Sequence, residues 1–129
     1  MGGCNSKEEE FFKAVQAGEQ DEVRHLAAKI ETINFHEPKT GNTPLHVACL
    51  CGNTEMASFL LQLNADVNSR DAKGRSPLYV ASLGGYVEVV TALLVAGAEV
   101  NARTNDGLSS AYAAAWRGRY KVLVLLVET

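Results

Sequence analysis

The sequence predicts an all-α repeat solenoid of about four stacked units, each made of a β-turn followed by a helix-turn-helix. Three observations predict this fold. A pattern of residues recurs every 33 positions along most of the 129-residue chain. In each repetition a hydroxyl side chain, often followed by proline, precedes a short apolar segment that ends at glycine. A second apolar segment follows, and its large side chains recur at helical spacing.

The period is clearest when residues 71–103 are compared with the segments on either side. A fixed period of this size indicates units that stack on their neighbours, because one unit alone leaves its apolar stripe uncovered. The residues that recur 33 positions earlier are Gly74, Pro77, Leu78, Ala81, Gly85, Leu93, Leu94, Val100 and Asn101, which match Gly41, Pro44, Leu45, Ala48, Gly52, Leu60, Leu61, Val67 and Asn68. The matching positions 33 residues later are Gly107, Ser109, Ala114, Gly118, Leu126 and Val127.

The middle unit shows why these residues form two helices. Ser76 is a hydroxyl N-cap, and Pro77 follows at the first helical position, where its missing N–H does no harm. This first helix is expected to reach about Leu83, because the glycines at 84 and 85 favour a positive φ. The second helix is predicted by one apolar stripe and is expected to stop at Gly97; the stripe consists of Val89, Val90, Leu93 and Leu94.

The chain divides into an N-terminal segment and one repeat domain. Residues 1–7 are expected to be flexible, and residues 8–129 to form units near 8–37, 38–70, 71–103 and 104–129. The first unit lacks the turn motif and has a charged outer surface, as expected of a cap that faces water. Its acidic residues 8–10 fall in a first helical turn, where the helix dipole favours negative charge.

The last unit departs most from the pattern. Residues 109–112 read SSAY, which lacks the proline, and Val124 stands where Ser58 and Thr91 stand in the preceding units. This end is therefore predicted to be apolar. It is expected to pack on a partner or a second copy of the chain, unless the chain is a fragment of a longer array. The plainer alternative is a few scattered apolar residues on the surface.

The motifs resemble those of ankyrin repeats. TPLH at 43–46, SPLY at 76–79, the G-A-x-V-N form at 97–101 and the 33-residue period carry the resemblance, which covers roughly residues 8–129. The resemblance implies a β-turn and two antiparallel helices per unit, stacked into a slightly curved solenoid. It also implies that the chain binds other proteins through its turn tips and inner helices.

Composition places the chain among soluble domains of ordinary size. The net charge is −3, and 47% of the residues are apolar. The longest apolar run, residues 122–127, is much shorter than the roughly 20 residues that span a bilayer. Cysteines at 4, 49 and 51 suit neither a disulfide nor a zinc framework. We therefore expect a reducing, cytoplasmic setting.

The first six residues, MGGCNS, match the pattern for N-myristoylation at Gly2 once the initiator methionine is removed. Cys4 is well placed to take a palmitoyl chain. Two acyl chains anchor a protein stably, whereas one gives only marginal binding. The sequence therefore predicts attachment to a cytoplasmic membrane face through Gly2 and Cys4. The alternative is an unmodified tail in which these residues occur by chance.

No enzyme site is predicted, and neither a metal nor a cofactor is expected. His46 and Cys49 lie three residues apart on one helix face, which is compatible with a nucleophile and its base. The repeat argues against this interpretation, because Tyr79 and Ser82 occupy the same places in the next unit. His46 is expected to hydrogen-bond the turn, Cys49 to be buried and Cys51 to be accessible.

A partner-binding face is predicted at the turn tips and inner helices. Residues 1–37 carry eight acidic and four basic side chains, whereas residues 38–129 carry seven acidic and eight basic ones. Basic residues on this face favour an acidic or phosphorylated protein segment, and tryptophan and arginine are typical of interface hot spots. The predicted contacts are Lys39, Asn42, Arg70, Lys73, Arg75, Leu83, Arg103, Leu108, Trp116 and Arg117. Thr40, Leu50, Cys51, Ala72, Asn105 and Asp106 share their locations.

The same residues leave three alternative interpretations. Nucleic acid is a poor candidate, because the net charge is negative and no aromatic series follows the basic residues. A regulatory inhibitor that covers an enzyme is the stronger alternative to an adaptor, and the sequence does not separate these two roles. The charged turn residues are also compatible with an ordinary solvated surface.

Overall fold

The computed structural model describes residues 6–30 and 32–129, which form eight α-helices. Consecutive helices pack as four hairpins that stack in chain order. The odd-numbered helices form an inner layer, and α4, α6 and α8 contact one another in an outer layer. The predicted all-α solenoid is therefore confirmed. The helices are α1 (Ser6–Ala17), α2 (Gln20–Ala27), α3 (Pro44–Cys51), α4 (Thr54–Gln62), α5 (Pro77–Gly84), α6 (Val87–Val95), α7 (Ser110–Trp116) and α8 (Tyr120–Glu128).

The first helix begins earlier than the predicted repeat boundary. α1 includes Ser6 and Lys7, which the sequence assigns to the flexible segment 1–7. Glu8 and Glu9 lie in the first turn, where the helix dipole favours negative charge, and no helix-breaking residue separates them from Ser6. The predicted acylation sites, Gly2 and Cys4, lie outside the described residues.

Each later inner helix begins at the predicted hydroxyl cap. The side chain of Thr43 accepts a hydrogen bond from His46 N–H, and Ser76 and Ser109 do the same for the equivalent tyrosines. This satisfies one of the backbone donors that a helix start leaves unpaired. α7 keeps its serine cap although Ser110 replaces the proline. The loss of proline therefore leaves the cap in place.

The core lies between the two layers and runs the length of the stack. Met56, Val89 and Val122 are fully buried at one repeated position of the outer helices. The equivalent leucines 60, 93 and 126 form a second buried line beside it. In the first hairpin Phe11 is buried and meets Phe35 edge to face, with ring centroids 5.7 Å apart. The stripes predicted from the sequence thus merge into one continuous core.

Hydrogen bonds between turns set the spacing of the units. His46 Nδ1 accepts from Thr43 N–H at 3.2 Å, so the ring proton lies on Nε2, which donates to the Arg75 carbonyl at 2.7 Å. Ala72 N–H donates to the Thr40 carbonyl, and Asn105 N–H to the Lys73 carbonyl, each at 3.0 Å. His46 therefore hydrogen-bonds its own turn, as predicted, and it also links that turn to the next one.

Asparagine side chains make a second set of links at the other end of the units. Asn34 Oδ1 accepts from Asp66 N–H at 2.7 Å. Asn68 Oδ1 accepts from Glu99 N–H at 2.9 Å. In each case the acceptor belongs to one unit and the backbone donor to the next. Asn34 and Asn68 therefore tie successive loops together.

The residue after each interhelix glycine reaches back to the preceding unit. Tyr86 lies against Gly52, and its hydroxyl donates to the Leu50 carbonyl at 3.4 Å. Arg119 lies against Gly85, and its Nε donates to the Leu83 carbonyl at 3.3 Å. These side chains tie the C-terminal ends of α3 and α5 to the hairpins that follow them.

The last hairpin exposes apolar surface, as its sequence predicts. Tyr112 is 52% exposed, whereas the equivalent Tyr79 is 6% exposed because the next unit covers it. Val124 and Val127 on α8 are also exposed. None of the helices in the two described ranges is long and apolar enough to cross a membrane.

Replacing Gly52 with alanine should lower the free energy of unfolding more than replacing Gly118. Both glycines have left-handed φ angles, 67° and 69°, so alanine adds about 1–2 kcal/mol of backbone strain at either position. A Cβ at Gly52 would also lie 2.6 Å from the Tyr86 ring, which adds about 1–3 kcal/mol. At Gly118 the nearest side-chain atom is 3.9 Å away.

Urea denaturation of both variants, alone and combined with Tyr86→Ala, separates the two causes. The excess effect of Gly52→Ala should disappear when Tyr86 is truncated. Equal effects of the two glycine substitutions would show that the close approach of Tyr86 contributes nothing.

Stability should fall as the pH drops below the ordinary histidine pKa of 6.5, because burial lowers the pKa of His46 in the folded protein. Below that pH the unfolded chain binds a proton that the folded His46 does not bind, so the equilibrium shifts towards unfolding. A His46→Gln variant keeps a donor for the Arg75 carbonyl and has no group to protonate. Its unfolding free energy should decrease less than that of the wild type between about pH 7.5 and pH 5.5. If urea denaturation shows the same pH dependence of the unfolding free energy for the wild type and His46→Gln, protonation of His46 is not its cause.

Candidate functional site

The pair that resembles a nucleophile and its base is part of the core. Cys49 is fully buried, and this burial raises the pKa of its thiol far above the ordinary value. Both ring nitrogens of His46 are used by the turn, and desolvation lowers the pKa of the imidazole. A buried neutral thiol beside an occupied imidazole is not a nucleophile. Within the described residues no cluster of three or more metal-ligating side chains occurs.

The turn tips carry the exposed lysines of the predicted face. Lys39 and Lys73 are both exposed and lie in successive turns, whose backbones are hydrogen-bonded to each other. Glu37 lies in the first of these turns. Its carboxylate accepts from Thr40 N–H at 2.8 Å, and this bond above all holds the pKa of Glu37 below its usual range. The Glu37 charge therefore serves mainly to cap its own turn.

Two predicted contact residues use their guanidinium groups to hold the turns. Arg70 Nη1 donates to the Arg103 carbonyl at 2.6 Å, across the junction between two units. Arg103 Nη1 donates to the Gly107 carbonyl at 2.9 Å, within its own turn. Both side chains are exposed, so their charge still contributes to the potential of the face. Their replacement would disturb the turns as well as that potential.

Arg75 has a stronger structural role. Its Nε lies 2.7 Å from Oδ2 of Asp71, whose side chain is fully buried. The other carboxylate oxygen of Asp71 accepts from the N–H groups of Lys73 and Arg75, at 3.0 and 2.9 Å. Removal of Arg75 would leave a buried carboxylate without its cation. Reversal of the charge at Arg75 would therefore disturb the turn itself, apart from any effect on partner binding.

An apolar row crosses the inner layer. Leu50, Leu83 and Trp116 occupy the same position in successive units, near the C-terminal ends of α3, α5 and α7. We refer to these three residues as the inner-helix row. Leu50 is 47% exposed, Leu83 is half-buried and Trp116 is 67% exposed. The guanidinium carbon of Arg117 lies 5.4 Å from the centroid of the Trp116 ring, a cation–π distance.

The remaining predicted contacts lie deeper. Asn42 is only 9% exposed, because the residue before the Thr43 cap is folded into the turn. Leu108, at the equivalent place in the last unit, is half-buried. Of the predicted contacts, Lys39, Lys73, Trp116 and Arg117 are thus exposed, whereas Leu83 is half-buried and Asn42 is buried within its turn.

Sequence reasoning did not identify the side chains that support this face. Tyr86 and Arg119 hold the carbonyls of Leu50 and Leu83, which belong to the inner-helix row. Asp71 organises the turn that presents Lys73. The sequence does contain one sign of these contacts. The residue that follows the interhelix glycine recurs every 33 positions, as Asn53, Tyr86 and Arg119.

Comparison with known proteins agrees with this architecture. A family model described as "Ankyrin repeat" matches residues 40–72, and one described as "Ankyrin repeats (many copies)" matches residues 60–115. The chain is 33% identical over 60 residues to Ankyrin repeat protein B18 of Vaccinia virus (strain Copenhagen). It is 39% identical over 74 residues to Ankyrin repeat domain-containing protein 13C of Mus musculus, and 45% identical over 54 residues to the Homo sapiens protein of the same name.

The matched regions are parts of longer proteins. They cover 46%, 57% and 41% of this chain but only 10%, 13% and 10% of the three relatives. The chain therefore spans about a tenth of the length of the curated relatives it matches. The two family models together cover residues 40–115, which is more than half of the chain, and the helical hairpins extend the pattern on both sides. The chain belongs to the ankyrin-repeat family.

Proposed function

We propose that this chain is a non-enzymatic interaction module that binds an acidic or phosphorylated segment of another protein. Ankyrin repeats stack into extended surfaces that bind proteins, so the general role follows from the family. One observation carries the finer proposal. Lys39 and Lys73 are exposed at the turn tips, and Leu50 and Trp116 of the inner-helix row are exposed near the C-terminal ends of the inner helices.

The distribution of charge supports an acidic partner. The excess of acidic residues lies within residues 1–37, which include the first hairpin, whereas residues 38–129 are slightly basic. Lys39, Lys73, Arg103 and Arg117 are all exposed in the later units. Clustered charges of one sign accelerate encounter with a partner of opposite sign, and a buried aromatic anchor then supplies most of the affinity. Trp116 is the anchor that this face offers.

The partner's activity separates an adaptor from an inhibitor. The same face serves either role, since both need an exposed and preorganised surface. An adaptor leaves the bound protein active, whereas an inhibitor covers its active site. We favour the adaptor role, because the predicted acyl chains at Gly2 and Cys4 would hold the bound protein at one membrane surface. The inhibitor role remains the alternative, as does membership of a larger multidomain protein.

We also propose that the chain is tethered to the cytoplasmic face of a membrane through acyl chains on Gly2 and Cys4. The sequence motif supports this proposal. Both residues immediately precede α1, which begins at Ser6. The acidic residues of α1 do not favour an anionic lipid surface, so attachment would depend on the acyl chains. Self-association through the exposed apolar residues of α8 stays a prediction.

Reversing the charge of both turn-tip lysines should weaken binding of acidic peptides. Lys39→Glu combined with Lys73→Glu places like charges opposite an acidic partner, and we expect affinity to fall by about tenfold or more at low salt. The probe is a phage-displayed random peptide library selected on the wild-type chain, together with synthetic phosphorylated versions of the selected peptides. Dissociation constants are measured by fluorescence anisotropy.

Lys121→Glu is the matched control, because the preceding units carry Glu55 and Glu88 at the same position of the outer helix. This variant has the same type of charge change but leaves the turn tips unaltered, so its affinity should equal that of the wild type. Selected peptides without an excess of acidic residues, or unchanged binding by the double variant, would refute the acidic-partner proposal.

The tether predicts a defined change in mass and location. In eukaryotic cells the wild-type chain should lose its initiator methionine, gain the mass of a myristoyl group and sediment with membranes. Gly2→Ala should be unmodified at its N-terminus and should not sediment. Cys4→Ser should keep the myristoyl group but bind membranes weakly, since one chain gives only marginal attachment. Intact-protein mass spectrometry and fractionation test all three, and an unmodified, non-sedimenting wild type would refute the tether.

A further inference from the structure

The inner-helix row is a regular apolar feature. Its three residues come from equivalent positions of α3, α5 and α7, which are successive neighbours in the inner layer. Packed helices lie roughly 8–10 Å apart, so the row has a spacing of about 10 Å along the stack. Leu50 and Trp116, at its two ends, are among the large apolar residues that the structure exposes. Two exposed large apolar side chains with a half-buried one between them, at equivalent positions of three units, offer a partner a regular set of apolar contacts.

Two cross-repeat hydrogen bonds join the backbone of the row to the units that follow it. The Leu50 carbonyl accepts from the Tyr86 hydroxyl, and the Leu83 carbonyl accepts from Arg119 Nε. Both donors belong to the unit that follows the acceptor. The backbone beneath the row is therefore held in a set register before any partner arrives, which reduces the entropy lost on binding.

We propose that the partner segment is an amphipathic α-helix that lies along the stack and places apolar side chains seven residues apart against Leu50, Leu83 and Trp116. This inference rests on the proposed function, because it specifies the form of the acidic segment. Seven residues of helix rise about 10.5 Å and return to nearly the same side, so positions i, i+7 and i+14 match the row.

Extended segments match the row less well. In a β-strand, side chains three residues apart are about 10 Å apart but point to opposite faces. A polyproline II helix presents every third residue on one side at about 9.3 Å, but it leaves its backbone groups unpaired and is usually recognised by aromatic grooves. The inner-helix row contains one aromatic residue, and the carbonyls of Leu50 and Leu83 are already bonded. A helix satisfies its own backbone groups and needs none from this surface.

The charges around the row define the flanks of the partner helix. Lys39 and Lys73 lie in turns that precede the N-terminal ends of inner helices, and Arg117 follows the C-terminal end of α7. Basic side chains therefore lie on both sides of the row. The partner helix should carry acidic residues on both sides of its apolar stripe.

Two acidic peptides of about 21 residues and identical composition test this register. One has its three leucines at i, i+7 and i+14, and the other has them at i, i+5 and i+10, which spreads them around the helix. A third peptide is an acidic polyproline segment with leucine at every third residue. Trp116 is the one tryptophan in the chain, so its emission reports occupation of the row directly when the peptides contain none.

The heptad-spaced peptide should bind the wild-type chain at least about tenfold more tightly than the permuted peptide, and it should shift the Trp116 emission to shorter wavelength. Leu50→Glu should reduce that preference to near equality. Because Leu50 is 47% exposed, this variant should keep the wild-type circular dichroism spectrum. Leu83→Ala is a second variant with the same expected loss of preference, in case Leu50→Glu alters the fold.

The outcomes separate this inference from the proposed function. The two helical peptides could bind equally tightly to the wild-type chain, and both could bind more weakly to the Lys39→Glu, Lys73→Glu double variant. That result would overturn the proposed heptad register but leave the acidic-partner proposal standing. Tighter binding of the polyproline peptide would also overturn the register. If none of the peptides binds and selection on the wild-type chain yields no acidic sequence, both proposals fail.

Discussion

The structure depends on burial of each hairpin's apolar stripe against the next hairpin. Met56, Val89 and Val122 are fully buried because they lie where inner and outer layers of adjacent units meet. An isolated unit would expose its stripe, so the turns and loops acquire their shape only within the stack. Hydrogen bonds between the units add to the stability that this burial provides. His46 and Asn68 reach groups of the following unit, and these bonds fix the distance at which the stripes can pack.

The repeat pattern predicts those features that depend on position within one unit. The cap at Ser76, the burial of Cys49 and the hydrogen-bonded His46 follow from the motif around them. Features that depend on side-chain direction between units were beyond the pattern. Tyr86 could not be assigned to the carbonyl of Leu50 from the sequence, because the two are 36 positions apart in different units and the repeat pattern does not show which side chains reach across between units. Asn42 looked like an exposed turn residue, but the turn folds it inward.

The basic residues of the candidate face divide into two physical groups. Arg70, Arg75 and Arg103 bond to backbone carbonyls or to the buried Asp71, so their guanidinium groups are part of the scaffold. Guanidinium suits this task because its planar fork donates several hydrogen bonds in fixed directions. The lysines at 39 and 73 present a compact charge on a flexible stem. A count of basic residues alone therefore does not show which of them also hold the scaffold.

The contact between Tyr86 and Gly52 has a consequence for how such a chain can lengthen. The side chain that covers each interhelix glycine comes from the next unit, and it is tyrosine at Gly52 but arginine at Gly85. The glycine therefore accepts chemically different covers. An in-frame duplication of residues 71–103 would place a second tyrosine over Gly85, a pairing that already exists one unit earlier. Such a duplication would therefore keep this contact between units, so a unit can be gained at this boundary without loss of the side chain that covers the glycine.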